Sequence, residues 1–115
     1  MVKFMIVFRH PVDSNAFENR YNDLLALIEG MPDITRRQVV GVIGSPTGES
    51  PYYRILEVYF DDEDVMRNAL MSPAGQGAGA ELFHRFPKGS FETLFAHVYE
   101  EAGGQTERTG DNAGA

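Results

Sequence analysis

The chain has 115 residues, enough for one domain with a single buried core and too few for two. Its net charge of −7, from 17 acidic and 10 basic residues, repels nucleic-acid backbones and anionic membrane surfaces, so neither is an expected partner. Because the chain has no cysteine and no apolar run near its start long enough for a signal peptide or a membrane span, we expect a cytoplasmic protein without disulfides.

The first strand and the first helix are predicted from the opening thirty residues. Val2 to Arg9 is rich in strand formers, and the His10-Pro11 pair ends the strand because proline cannot donate a ladder hydrogen bond. Three suitable N-cap residues follow in a row, and the last of them, Asn15, has capping-box spacing to Glu18. Apolar residues then recur at three- and four-residue steps as far as Gly30, which predicts an amphipathic helix with one face on the sheet.

Two strands and a long loop are predicted next. Ile34 to Ile43 carries two arginines in its first half, which favours an exposed or edge strand. Residues 44–51 are dense in turn formers and join this strand to the next as a hairpin with a long loop. Tyr52 to Phe60 is apolar or aromatic on both faces, so both faces of this third strand need a cover.

The second helix is predicted to be in two pieces. Residues 61–64 supply an N-cap and further acidic side chains, which the positive end of a helix dipole stabilises. Ser72 and Pro73 then interrupt the pattern and can start a new segment as its cap and first residue. Gly75, Gly77 and Gly79 imitate a phosphate-binding loop but lie within the predicted helix, where small residues allow close packing against a neighbour.

The last strand and the tail complete the chain. Phe91 to Tyr99 is predicted as a strand with both faces buried. Residues 101–115 contain no large apolar side chain, so we expect a disordered tail after a domain spanning residues 1–100.

The element order β-α-β-β-α-β is that of the ferredoxin-like α+β fold, with a four-stranded antiparallel sheet and helices on one face. An uncovered sheet face with aromatic and aliphatic residues from three strands would exceed the apolar patch of an ordinary monomer. We therefore predict a homodimer in which two sheets pack face to face around a twofold axis.

One segment carries a family resemblance. The sequence PYYRILEVYFDD, followed by NALMSPAGQGAGAEL and a phenylalanine, resembles the EthD family, named from bacterial ethyl tert-butyl ether degradation. The resemblance spans roughly residues 1–99, is most specific from Tyr52 to Gln76, and implies a ferredoxin-like subunit that forms a dimeric α+β barrel. Members usually carry a histidine about four residues after a tyrosine in the first helix; here Tyr21 is present, but Leu25 stands in the place of the histidine.

Two residues are candidates for acid-base chemistry. Glu57 interrupts an apolar strand, and by strict alternation it shares a face with Tyr53 and Tyr59. It is either a general base in a pocket or half of a structural ion pair, with Arg9 or an arginine of the second strand as partner. His97, on the last strand, is either an acid-base group lining a cavity or a core histidine held by a hydrogen bond.

Tyr21, Tyr53 and Arg9 are the candidate ligand-binding residues, with core packing as the alternative for the two tyrosines. The three histidines do not have metal-site spacing and no catalytic motif is present, so we expect neither a metal nor a tightly bound cofactor.

Three functions remain open at this stage. The first, which the resemblance favours, is a cofactor-independent enzyme of oxidoreductase or isomerase type, or an accessory protein, in the catabolism of a small apolar organic compound. The second is a protein that binds or shuttles such a compound without catalysis, which Leu25 favours. The third is a dimerisation module that assists a partner such as an oxygenase.

Overall fold

The computed structural model describes residues 1–99, so residue 100 and the predicted tail at 101–115 lie outside the described residues. The elements, in chain order, are β1 (Val2–Arg9), α1 (Ser14–Glu29), β2 (Arg36–Gly41), β3 (Tyr52–Phe60), α2 (Glu63–Met71), α3 (Pro73–Arg85) and β4 (Phe91–His97). The predicted ferredoxin-like α+β order is confirmed, with the second helix in two pieces as expected.

The four strands form one antiparallel sheet in the order β2-β3-β1-β4. This order puts β2 at one edge, as its arginines predicted, and β4 at the other. Both edge strands are shorter than the sequence pattern predicted, β2 by two residues at each end and β4 by two at its end. A membrane-spanning helix is not found in residues 1–99.

The core lies between the helices and one face of the sheet. Alternate residues of the two central strands point into it, and the amphipathic face of α1 covers them, as its periodicity predicted. The side chains most deeply buried here are Phe8, Phe60, Ile6, Leu24, Ile28, Leu56 and Val58. We call this side of the sheet the helix face and the other side the open face.

The start of α1 uses one of the three predicted N-cap residues, but not the one with capping-box spacing. Asp13, not Asn15, is the N-cap, and its Oδ1 accepts a hydrogen bond of 3.1 Å from the Ala16 amide. Glu18 therefore has no part in a capping box; its carboxylate binds the Arg54 guanidinium through two hydrogen bonds of 2.7 and 2.8 Å. Local spacing predicts Glu18 in the helix cap, but in the structure Glu18 forms a tertiary ion pair with Arg54.

The junction between α2 and α3 is a sharp turn centred on Ser72. Its hydroxyl donates to the Ala69 carbonyl at 2.6 Å and accepts from the Gly75 amide at 3.1 Å, while Pro73 is the first residue of α3. Two of the three glycines fit the packing interpretation, Gly75 against the last turn of α2 and Gly77 against the Leu27 side chain of α1. A methyl group at Gly79 would meet open space.

A β-bulge at the start of β3 corrects the predicted alternation. The register shifts between Phe8 and Arg9, so that Phe8 lies opposite Arg54 while Arg9 lies opposite Tyr52. Tyr52 thus follows Arg9 onto the open face, where the guanidinium lies 5.4 Å from its ring. Tyr53 lies against Phe17 of α1, with ring centroids 5.3 Å apart, so the prediction that it shares a face with Glu57 was wrong.

The open face carries no helix within the described part of the chain. From β1 and β3 it presents Lys3, Met5, Val7, Ile55, Glu57 and Tyr59, and from the edge strands Arg36, Gln38, Val40, Glu92, Leu94 and Ala96. Lys3 and Arg36 lie over the Tyr59 ring, which is 5% exposed, and Val7 is 8% exposed. In the single chain β4 is mostly exposed on both faces. The prediction leaves its open face to a partner subunit, but on its helix face Phe95 is 66% exposed, contrary to the predicted burial.

Candidate functional site

Glu57 lies on the open face of the sheet, in the middle of β3, and is 8% exposed. Its Oε1 accepts two hydrogen bonds, one of 2.9 Å from Lys3 Nζ and one of 2.6 Å from Tyr59 Oη. The guanidinium of Arg36, from β2, lies 4.5 Å from the centre of the Tyr59 ring. The ion pair that the sequence left open is therefore present, but its cation is Lys3 from β1 and not Arg9 or an arginine of β2.

Burial and the neighbouring side chains of Tyr59, Lys3 and Arg36 together determine the pKa of Glu57. Burial raises the pKa, but the hydrogen bonds from Tyr59 and Lys3 outweigh burial, with Arg36 assisting, so the pKa lies below its usual 4.5. A carboxylate stabilised in this way is a weak proton acceptor at neutral pH. The geometry consequently suits a structural ion pair better than a general base.

Tyr53 belongs to a cluster on the helix face built around Arg54. The Tyr53 hydroxyl donates to Glu18 at 3.2 Å, and the Arg54 guanidinium lies within 5.3 Å of the ring centres of Phe17, Tyr21 and Tyr53. The Arg54 hydrogen bonds to Glu18 lower the pKa of the Glu18 carboxyl, against the opposing effect of burial.

Tyr21 lies in the same cluster and is 3% exposed. Its ring stacks on Phe17 at 5.6 Å, and among residues 1–99 its hydroxyl finds no hydrogen-bond partner. Burial raises the pKa of the phenol, and the nearby guanidinium groups of Arg54 and Arg37 only partly oppose this rise. Tyr21 is thus a neutral core side chain with one polar atom left to satisfy.

Arg9 lies at the far end of β1. Its guanidinium donates to Glu92 at 2.9 Å, across the pair of strands β1 and β4. The structure therefore does not assemble the five candidate residues into one site: Glu57 and Arg9 lie on the open face, whereas Tyr21, Tyr53 and His97 lie on the helix face.

His97 lines a groove between α2 and the end of β4. The groove has a volume of about 190 Å³, and its walls are mostly apolar, from Val2, Met66, Leu70 and Phe95. The imidazole Nε2 lies 3.3 Å from Glu63 Oε2, at the first turn of α2. The sequence predicts for Glu63 only a role at the positive end of the α2 dipole. Glu63 comes close to His97 because of how α2 packs across β1, and local spacing does not reveal that packing.

The interior of the fold offers much less room. A cavity of about 40 Å³ between the sheet and helices α1 and α3 is lined by apolar side chains such as Phe4, Leu24 and Leu82. That is space for little more than a water molecule, which takes about 30 Å³ in the liquid. Among the described residues there is also no group of three side chains able to hold a metal ion.

The geometry places the chain among the ferredoxin-like α+β proteins with one helix-covered sheet face. No family model matches the sequence. An uncharacterized 11.0 kDa protein from the thcB-thcC intergenic region of Rhodococcus erythropolis is 31% identical over 97 residues, covering 83% of this chain and 92% of the relative. The crystal structure of an EthD family protein from Bacillus halodurans is 27% identical, covers 86% of this chain and 99% of that chain, and superposes with a TM-score of 0.80. The chain belongs to the EthD family.

More distant structures share the fold alone. A dimeric ferredoxin-like protein of unknown function from Jannaschia is 17% identical, with a TM-score of 0.66, and covers 85% of this chain and all of its own length (100%). SnoaB, a cofactor-independent oxygenase from Streptomyces nogalater, is 16% identical, with a TM-score of 0.62, and the match covers 88% of this chain and 95% of SnoaB.

Proposed function

We propose that this protein is a homodimer that binds a small, mostly apolar organic compound in the His97 groove and transforms it by acid-base chemistry during catabolism. The observation that carries the proposal is the groove itself, where an imidazole stands at the edge of apolar walls. Such walls with few polar groups are typical of small-molecule sites. The oxygenase SnoaB supports the proposal only in that a related fold can hold an enzyme without a cofactor.

His97 and Glu63 divide the chemical work in this proposal. An imidazole can donate and accept protons in the physiological pH range, which suits removal of a proton from a bound compound or its delivery to one. Glu63, whose Oε2 lies 3.3 Å from the imidazole Nε2, holds the ring in its orientation. Glu57 is assigned to the structure of the open face, and Tyr21 and Tyr53 to the packing around Arg54. Arg9 is assigned to the ion pair with Glu92.

Turnover of a bound compound tests the catalytic part. A panel of small ethers, ketones and aromatic compounds is screened by NMR for shifts at His97, and any compound that binds is assayed for conversion without added cofactor. We expect His97→Ala to lower the rate about 100-fold, the lower range of general acid-base catalysis. His84→Ala, which changes an exposed histidine in the last turn of α3, is the matched control and should leave the rate unchanged.

Full turnover in His97→Ala would contradict the assignment. Binding without conversion by the wild type would instead favour the non-catalytic alternative. That alternative has one specific observation on its side, since Leu25, where relatives carry a histidine, packs against the hydrophobic core and offers no acid-base group.

The homodimer part rests on the open face of the sheet, which mixes apolar side chains with complementary charges and has no cover in the described chain. Several solved proteins of this fold, including those from Jannaschia and Thermobifida fusca, are described as dimeric. Packing two open faces about a twofold axis would bury Leu94, which is 48% exposed.

Light scattering tests the dimer with a matched pair of variants. Leu94→Asp puts a charge on the open face, and we expect it to weaken the dimer at least 100-fold because an unpaired carboxylate would be buried at the interface. Val39→Asp makes the same kind of change at a side chain that is 51% exposed on the helix face of the other edge strand, and the dimer should persist. A monomer mass for the folded wild type would overturn the proposal.

A further inference from the structure

A second pocket lies at the other end of β1 and β4 from the His97 groove. His97 lies opposite Val2 at the start of β1, whereas the second pocket is reached from Arg9 at its end, about 23 Å away at the usual rise per strand residue. The pocket has a volume of about 170 Å³. A water molecule takes roughly 30 Å³ and a covalently bonded atom takes less, so the pocket holds on the order of six to nine non-hydrogen atoms.

The deeper wall of this pocket is aromatic. Phe17 and Phe86 both line it, are each 4% exposed, and meet edge to face with ring centroids 6.0 Å apart. Pro11 and Pro87 form flat apolar sides. Such walls favour a planar ring, which can lie against one phenyl face and the edge of the other.

The polar side of the pocket contains one arginine that has no ion-pair partner among residues 1–99. Arg9 is paired with Glu92 at 2.9 Å, and His10 Nε2 lies 2.9 Å from the Ser50 carbonyl oxygen. Arg20, which is partly buried, has no hydrogen bond or carboxylate within salt-bridge distance in residues 1–99. The Asp13 carboxylate also lines the pocket, but its Oδ1 accepts from the Ala16 amide at the positive end of α1.

We propose that this pocket binds a small aromatic carboxylate, with the ring against Phe17 and Phe86 and the carboxylate on Arg20. A guanidinium presents parallel N–H donors that fit both oxygens of a carboxylate, and a partly buried position strengthens that contact. The size of the pocket limits the ligand to one ring with a short substituent. This is a second site, separate from the proposed acid-base groove, and does not depend on it.

Benzoate is the probe for the first test, with benzyl alcohol as a neutral ligand that is smaller by one oxygen atom. In NMR titrations we expect benzoate to shift the amides around Phe17 and Phe86, and benzyl alcohol to bind at least ten-fold more weakly because it has no charge to pair with Arg20. Arg20→Gln should weaken benzoate binding at least ten-fold, because it removes the charged donor and its hydrogen bonds to the carboxylate. Arg20→Lys keeps the charge but not the paired donors and should restore part of the affinity.

Two controls separate this pocket from other sites. Arg85→Gln removes a guanidinium that pairs with Asp23 on the surface, and His97→Ala changes the acid-base groove; both should leave benzoate binding unchanged. The proposal is overturned if benzoate does not bind, if benzyl alcohol binds equally well, or if Arg20→Gln keeps the wild-type affinity. Loss of benzoate binding in His97→Ala would also overturn it, because the ligand would then occupy the other groove.

Discussion

Replacing Gly75 by alanine is expected to lower the free energy of unfolding by about 3 kcal/mol or more. Gly75 lies in the first turn of α3, directly after the turn at Ser72, and packs on the last turn of α2. A methyl group there would lie 2.7 Å from the carbonyl carbon of Leu70 and closer still to the carbonyl oxygens of Ala69 and Leu70. These are backbone atoms held by their own helix, so the methyl group fits only if the two helices separate.

Gly79→Ala is the matched control, four residues further along the same helix. A methyl group at Gly79 has nothing within 4 Å, and alanine is the better helix former, so this variant should gain roughly 0.5–1 kcal/mol. Urea unfolding of both variants at one protein concentration measures the difference. Equal stability of the two variants would mean that the α2–α3 contact is looser than the structure has it.

The fold was largely predictable because its signals are local. The Ser72-Pro73 pair is both a stop for one helix and a start for the next, and the structure uses it in both ways. The alternating pattern likewise identified the strands, and the arginines of β2 indicated an edge. What failed was strict alternation across Tyr52 and Tyr53, because a bulge depends on how β3 aligns with β1 and leaves no clear mark in β3 itself.

The candidate sites were less predictable, since their contacts join residues far apart in the chain. The alternation of β1 predicts that Lys3 lies on the open face of the sheet. That Lys3 meets Glu57 depends on the register between β1 and β3, and the two residues are 54 positions apart in the chain. The position of Glu63 in the first turn of α2 already explains an acidic residue there, and only the packing of α2 across β1, the strand next to β4, brings it to His97. Arg20 carries no signal in the sequence, because an arginine on an amphipathic helix has no distinctive pattern until the walls of the pocket around it are known.

The second large effect is expected from Lys3→Met, which removes the charge that faces Glu57 and keeps most of the apolar stem. The two charged ends are 2.9 Å apart, with side chains 21% and 10% exposed, so Glu57 would keep its burial and lose its cation. Leaving a carboxylate buried without its partner costs several kcal/mol in a closed core, and for the exposure that this pair has in the single chain we expect a loss of about 2 kcal/mol at pH 7. Urea unfolding at fixed protein concentration measures the loss.

The pH dependence of this loss distinguishes the ion pair from simple packing. In the wild type the pKa of Glu57 is lowered from 4.5, so its contribution is present above that value and is lost as the pH falls through the folded-state pKa. In Lys3→Met burial is opposed only by Tyr59 and Arg36, so the folded-state pKa should rise relative to the wild type, and the variant should gain less stability than the wild type as the pH rises from 4 to 7. The deficit should therefore be larger at pH 7 than at pH 4, and Glu57→Gln in the Lys3→Met background should remove most of this pH dependence. A deficit that is the same at both pH values would show that the loss does not come from the Lys3–Glu57 charge pair and that Tyr59 and Arg36 already satisfy the charge of Glu57.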